Sequence, residues 1–149
     1  MIQEEKQLLL QDLCARLPYG VKCYVPVENC TMELTGKRLN YFCFHKDVWG
    51  IDYSHEQEIV IDPLNDANNN YIVKPYLRPL DSITEEEEKG FNQIFELELK
   101  ALEDTTIGHS IESAASSVFM IDFYNKNHFD YRGLIGKGLA IEAPEGMYE

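Results

Sequence analysis

The phrase HFD sets His128 and Asp130 two residues apart, and no other pair in the chain is better placed to do chemistry. An imidazole beside a carboxylate can work as a general base or hold a metal, which would make the protein a hydrolase or a metal enzyme. The same residues also read as a histidine in a turn followed by a carboxylate that caps a helix. The other histidines, His45, His55 and His109, lie far apart in sequence. HEQEI at 55–59 lacks the second histidine of HExxH, so the two-ligand helical zinc face is absent.

Four cysteines, Cys14, Cys23, Cys30 and Cys43, form no CxxC pair, and their gaps match neither a zinc ribbon nor a redox motif. GLIGKGLA at 133–140 places three glycines around Lys137 but fits neither GxGxxG nor GxxxxGK[ST]. Its ordinary reading is a helix C-cap at Gly138. PYLRP at 75–79 could present Tyr76 and Arg78 from an extended segment to an aromatic groove, or serve as a stiff connector. The run Glu85 to Glu88 offers four carboxylates, yet consecutive helical residues fan out about 100° apart and do not converge on one cation. The residues alone therefore assign no catalytic, cofactor-binding or metal position.

The elements that carry these residues follow from spacing. QEEKQLLLQDLCARLP places Leu9, Leu10, Leu13 and Leu17 at helical intervals, with glutamates in the first turn and Pro18 as a stop, so a helix is expected over 1–18. Val21, Cys23, Val25 and Val27 alternate as a half-buried strand, with Pro26 at a sheet edge or strand end. CTMEL, a TGKR turn, LNYFCFH, a break at Trp49-Gly50, IDYS, QEIVID and YIVKPYL continue a β part over 19–77, and PLNDANNN forms a loop. A small antiparallel sheet or an SH3-like barrel would suit such short strands.

Ser82 and Thr84 each have a glutamate three residues on, Glu85 and Glu87, so either can close a capping box and the glutamates begin a helix. Phe91, Ile94, Phe95, Leu99 and Leu102 continue it, and Leu97 and Ala101 widen its apolar arc enough to imply two neighbours. Glu98 falls inside that arc and needs a partner or a path to solvent. Ser110 can cap a further helix from Ile111 to about Asn125, although VFMIDFY at 118–124 would also serve as a buried strand. Asp130 would cap a short glycine-interrupted helix, followed by a polar tail over 141–149.

The expected fold class is α+β in a single domain, 1–149: an N-terminal helix, the β part, and a helical part over 82–140 with two or three helices. Its 149 residues can bury a core without staples. The net charge of −13 is concentrated in 81–149, which carry −10 against −3 for 1–80. Such a field repels phosphate backbones and anionic membranes, so direct nucleic-acid or membrane partners are not expected. With no secretory leader and no apolar stretch of spanning length, a cytoplasmic protein with reduced thiols is expected.

LLLQDLCARLPYGVK (8–22), KPYLRPLDSITEEEE (74–88) and HFDYRGLIGKGLAIEAPEGMY (128–148) together resemble an uncharacterised family of short proteins encoded in gut bacterial genomes and their phages or mobile elements. The resemblance covers 51 of 149 residues and implies a cytosolic accessory protein of prophage origin, with no catalytic residue to carry over. The function expected is a non-enzymatic protein-binding module using a sheet edge or the acidic helical half. Two other classes stand beside it: an acidic inhibitor imitating nucleic acid, and the hydrolase or metal enzyme built on His128 and Asp130.

Overall fold

The computed structural model describes residues 2–26, 28–38, 41–45, 59–61, 72–103 and 108–149. Within them lie three α-helices and six strands, an α+β arrangement with the first helix leading, the strands in the middle and the other two helices later. The chain divides into two compact units. One comprises Met1–Leu77 with Arg132–Glu149, the other Arg78–Tyr131. The expected helical part, 82–140, is thus split between them. No helix among the described residues is long and apolar enough to cross a membrane.

In the first unit, α1 (Gln3–Arg16) is followed by a 3-10 turn over Leu17–Tyr19, where Pro18 fits because a helix start has no need of its missing N–H. Gly20 then turns the chain with a φ of 64°, a left-handed geometry that glycine adopts at no steric cost. Strand β1 (Lys22–Val25) buries Cys23 and Val25 as the alternation requires, and Val21 just ahead of it is buried too. Pro26 lies just past the strand end, in a tight turn to β2 (Cys30–Arg38).

The expected TGKR turn is instead part of β2. The pairing of β2 with β3 (Tyr41–His45) shifts register between Leu34 and Gly36, the signature of a bulge, in which glycine absorbs the extra residue without ending the strand. Strand β4 (Ile59–Ile61) pairs with β3. Strand β5 (Lys74–Leu77) pairs antiparallel with β1, with Cys23 opposite Pro75 and Tyr24 opposite Lys74. The Trp49-Gly50 break, IDYS and PLNDANNN lie outside the described residues.

The sheet runs in the order β4-β3-β2-β1-β5-β6, so of the two β arrangements expected the strands form the sheet. It is mixed, because β6 (Ile141–Glu142) runs parallel to β5. The tail expected as loop is therefore tied to the sheet, and the amide of Ala143 donates to the carbonyl of Leu77 at 2.8 Å. Leu9 and Leu13 of α1 join Val21, Met32, Leu34, Phe44, Val73, Leu77 and Leu134 in the core.

No helix follows Asp130. Residues 134–139 make a single turn, closed by bonds from Leu139 N to Leu134 O (2.9 Å) and from Gly138 N to Ile135 O (3.0 Å), with Gly138 left-handed at φ 70°. This is the hydrogen-bond pair that ends helices, so the expected C-cap at Gly138 is present without the helix. Leu134, Leu139 and Ala140 bury the turn against the core.

The second unit is a helical hairpin of α2 (Glu85–Glu103) and α3 (Gly108–Lys126). Thr84 is the N-cap of α2: its Oγ1 accepts from the amide of Glu87 at 3.2 Å, and Glu87 Oε2 accepts from the amide of Thr84 at 3.0 Å. Ser82 donates to the carbonyl of Pro79 instead, holding the turn before the helix. VFMIDFY is helical throughout. Phe91 meets Phe123 at 4.8 Å between ring centroids, and Phe95 meets Phe119 at 6.2 Å.

Candidate functional site

Three phrases singled out in the sequence converge on Arg78 in the second unit. Its amide donates to the carbonyl of His128 at 2.8 Å, and its carbonyl accepts from the amide of Asp130 at 2.8 Å, a short parallel bridge centred on Phe129. Its guanidinium lies 4.2 Å over the Phe129 ring. The same guanidinium donates to both carboxylate oxygens of Glu87, at 2.7 and 3.0 Å. Arg78 of PYLRP, Glu87 of the glutamate run and Phe129 of HFD therefore form one stacked ion pair.

This arrangement holds structure together. The fork donors and the Thr84 bonds all stabilise the ionised form of Glu87, and Arg78 lowers its carboxyl to about 2 despite the opposing effect of partial burial. A cation satisfied on two sides and stacked on an aromatic ring is a clamp between the segment entering α2 and the one leaving α3.

His128 has a φ of 60° and is nearly buried. Its amide donates to Asn125 O at 3.2 Å, while the amide of Phe129 donates to Tyr124 O at 2.9 Å. These two bonds make His128 the left-handed residue that closes the C-terminus of α3, a place usually taken by glycine. The turn reading of His128 holds. Asp130 is buried as well, but it caps no helix, and its amide belongs to the bridge with Arg78. Of the other histidines, His55 and the side chains of His45 and His109 lie outside the described residues. Among the described residues no group of three or more His, Cys, Asp or Glu side chains is gathered for a metal.

In the first unit, Asp12 and Arg16 form a fully buried pair, with Nε to Oδ2 at 2.8 Å and Nη2 to Oδ1 at 3.0 Å. Arg132 approaches the same carboxylate at 3.8 Å. The sequence carried a signal for this pair, since Asp12 and Arg16 share the helical face of Leu9 and Leu13. Cys23 is buried, and burial, reinforced by Asp12 and opposed by Arg16, pushes its thiol up, away from the reactive thiolate.

The surface feature that stands apart is apolar and lies on the helical hairpin. Ile94 and Val118 are each 62% exposed, Leu97 is 68% exposed and Ile121 is 44% exposed. With Phe91 and Phe95 facing α3, and Phe119 and Phe123 facing α2, a step of one residue back from Phe95 or Phe119 rotates by about 100°. That step gives Ile94 on one helix and Val118 on the other. Because the helices are antiparallel and both right-handed, the two steps lead to the same side of the hairpin. Leu97 and Ile121, three residues on, lie about 60° further round. Ile94 and Val118 thus share one side of the hairpin, while Leu97 and Ile121 turn toward its two outer edges, and single exposed apolar side chains of this kind are ordinary on a protein surface. The wide apolar arc of α2 is thus half used by α3. The chain matches no family model, no curated protein and no solved structure in these comparisons.

Proposed function

We propose that this is a non-enzymatic protein-binding module, a cytosolic accessory protein of prophage or mobile-element origin, whose contact surface is the acidic helical hairpin. The observation that carries the reading is the exposure of Ile94, Leu97, Val118 and Ile121 to solvent on a unit rich in carboxylates. Apolar side chains at helical spacing are the anchors by which helices recognise other proteins. The main chain of His128 and Asp130 serves helix closure and the bridge to Arg78, whose guanidinium is committed to Glu87 and the Phe129 ring, and this structural use of HFD supports a binding role over the hydrolase reading.

A second reading, imitation of nucleic acid, draws on the exposed Glu85, Glu86 and Glu88 at the start of α2. Salt separates the two. The intact protein and its Leu97→Ser/Val118→Ser variant are immobilised and exposed to native cytosol across a salt series. The binding module predicts a partner retained at high ionic strength and lost with the variant. Capture that fades with salt and ignores the variant would establish charge imitation instead.

A further inference from the structure

The C-terminal segment of the first unit has a buried root and a body that lies on the surface. Leu134, Leu139 and Ala140 belong to the core, whereas Ile141 to Glu149 are all half-buried or exposed. Hydrogen bonds hold the body in place. Its ladder to β5 pairs Tyr76 with Ile141 and Leu77 with Glu142, and the amide of Ala143 extends it by donating to Leu77 O at 2.8 Å. The Tyr148 hydroxyl donates to Tyr76 O at 2.7 Å and accepts from the amide of Lys22 at 3.1 Å. Lys22 Nζ donates to Met147 O at 3.1 Å. A segment tied by hydrogen bonds, with little buried apolar surface of its own, is the kind that opens without unfolding the domain beneath it.

The sheet is prepared for that opening. In the register of β1 and β5, Lys22 and Tyr76 are the pair that follows Cys23 and Pro75. Withdrawal of the whole Tyr148 side chain leaves their amide and carbonyl facing each other as ladder partners, so two bonds to the hydroxyl give way to one between the strands. The outer edge of β5 is freed at the same time, and a free edge accepts an extended chain. The segment itself shows what fits there. It sets two strand residues in parallel register on Tyr76 and Leu77, and a tyrosine six residues after Glu142 whose hydroxyl reaches between β1 and β5. We infer that residues 141–148 are a detachable strap, the cis occupant of a peptide site on β5, and that an extended segment of a partner protein carrying a tyrosine at the same spacing displaces them. Until then the strap closes the edge against other strands. This site belongs to the sheet of the first unit and does not depend on the hairpin as a contact surface.

Hydrogen exchange of the unmodified protein reads the opening. The Ala143 amide is expected to show a protection factor at least tenfold below that of the Leu34 amide, which is bonded to Val21 O at 2.9 Å within the sheet, and to depend far less on urea. Exchange of both amides only together, in global unfolding, would overturn the inference. Fluorescence anisotropy with a labelled peptide of sequence AIEAPEGMYE, residues 140–149, reads the site. The full-length variant Ala143→Pro/Tyr148→Ala lacks the amide and the hydroxyl that hold the strap, and is expected to bind the peptide at least tenfold more tightly than the parent protein does. The same peptide with Tyr148→Phe is expected to bind that variant at least tenfold more weakly. A variant that keeps the circular dichroism of the parent yet binds no peptide, or binds both peptides equally, sinks the proposal. So does a variant that unfolds, because a detachable strap leaves the core intact. Sedimentation showing dimers of the parent protein that vanish in the variant would also overturn it, by making the tail of a second copy the occupant.

Discussion

The phenolic hydroxyl of Tyr148 donates to the main-chain carbonyl of Tyr76 at 2.7 Å and accepts from the amide of Lys22 at 3.1 Å. The register of β1 and β5 pairs Cys23 with Pro75 and Tyr24 with Lys74, so Lys22 and Tyr76 are the next pair along. Where the ladder would close, a side chain stands between the two strands. Lys22 Nζ adds a bond to the carbonyl of Met147 at 3.1 Å, and with β6 these contacts bind 141–148 to the sheet.

Tyr148→Phe should therefore cost about 1–3 kcal/mol, since it leaves a part-buried amide and carbonyl without their partner while keeping the ring. Burial pushes the Tyr148 hydroxyl above its ordinary range, so it stays protonated as a donor through neutral pH. Hydrogen exchange is the sensitive readout. Protection of the Lys22 amide should fall sharply in the variant, and unchanged protection there would show that the hydroxyl is dispensable.

Much of this architecture was legible in residue spacing. Leu9 and Leu13 on one helical face and Cys23 and Val25 on one strand face specify α1 and β1 because each pattern has one period, while the two capping boxes offered at Ser82 and Thr84 leave the start of α2 open by two residues until the bonds of Thr84 are seen. What was not legible depends on partners distant in sequence. Tyr148 meets Lys22 across 126 positions, and nothing local to the tail announces a hydroxyl bridging two strands. TGKR carries turn residues, but its pairing with β3 turns Gly36 into part of a bulge. His128 occupies a left-handed cap that sequence assigns to glycine, so its backbone role appears only once the bonds to Asn125 and Tyr124 are seen. The exposed apolar surface of the hairpin was half legible. Its wide apolar arc implied a second neighbour, but only the packing of Phe95 on Phe119 shows which side α3 leaves open.

The clamp of Arg78 on Glu87 makes the second unit sensitive to acid. The folded carboxyl titrates at about 2, below its ordinary 4.5, so the unfolded chain binds more protons as pH falls and folding becomes less favourable. The contribution is complete above pH 4.5 and disappears as pH drops toward 2. Since the pair is partly exposed, its worth is about 1 kcal/mol. Glu87→Gln should flatten the stability profile across that window, as followed by circular dichroism of α2 and α3. A profile as steep as that of the parent protein would place the acid sensitivity elsewhere.

Cys23 should resist alkylation in the folded protein, because burial both shields the sulfur and suppresses the thiolate. Cys14 and Cys30 are only partly buried and should react first. Mass spectrometry after graded exposure to iodoacetamide separates these sites. Labelling of Cys23 should track unfolding of the sheet in denaturant, and early labelling of Cys23 would mean that β1 opens locally.

The buried pair of Asp12 and Arg16 yields the largest expected effect. A carboxylate and a guanidinium without solvent contact are stable only as partners, since each alone would carry an uncompensated charge in the core. Asp12→Ala strands Arg16 in that position and should cost about 3–5 kcal/mol. Arg132 approaches the same carboxylate from 3.8 Å with a side chain 20% exposed, whereas that of Arg16 has no solvent contact. Replacing both partners, as in Asp12→Leu/Arg16→Leu, removes the stranded charge and extends the apolar face of Leu9 and Leu13, so most of the lost stability should return. Urea unfolding distinguishes the cases through the midpoint at constant slope. If the double variant is no more stable than Asp12→Ala, the pair contributes through its own hydrogen bonds and not merely by cancelling charge.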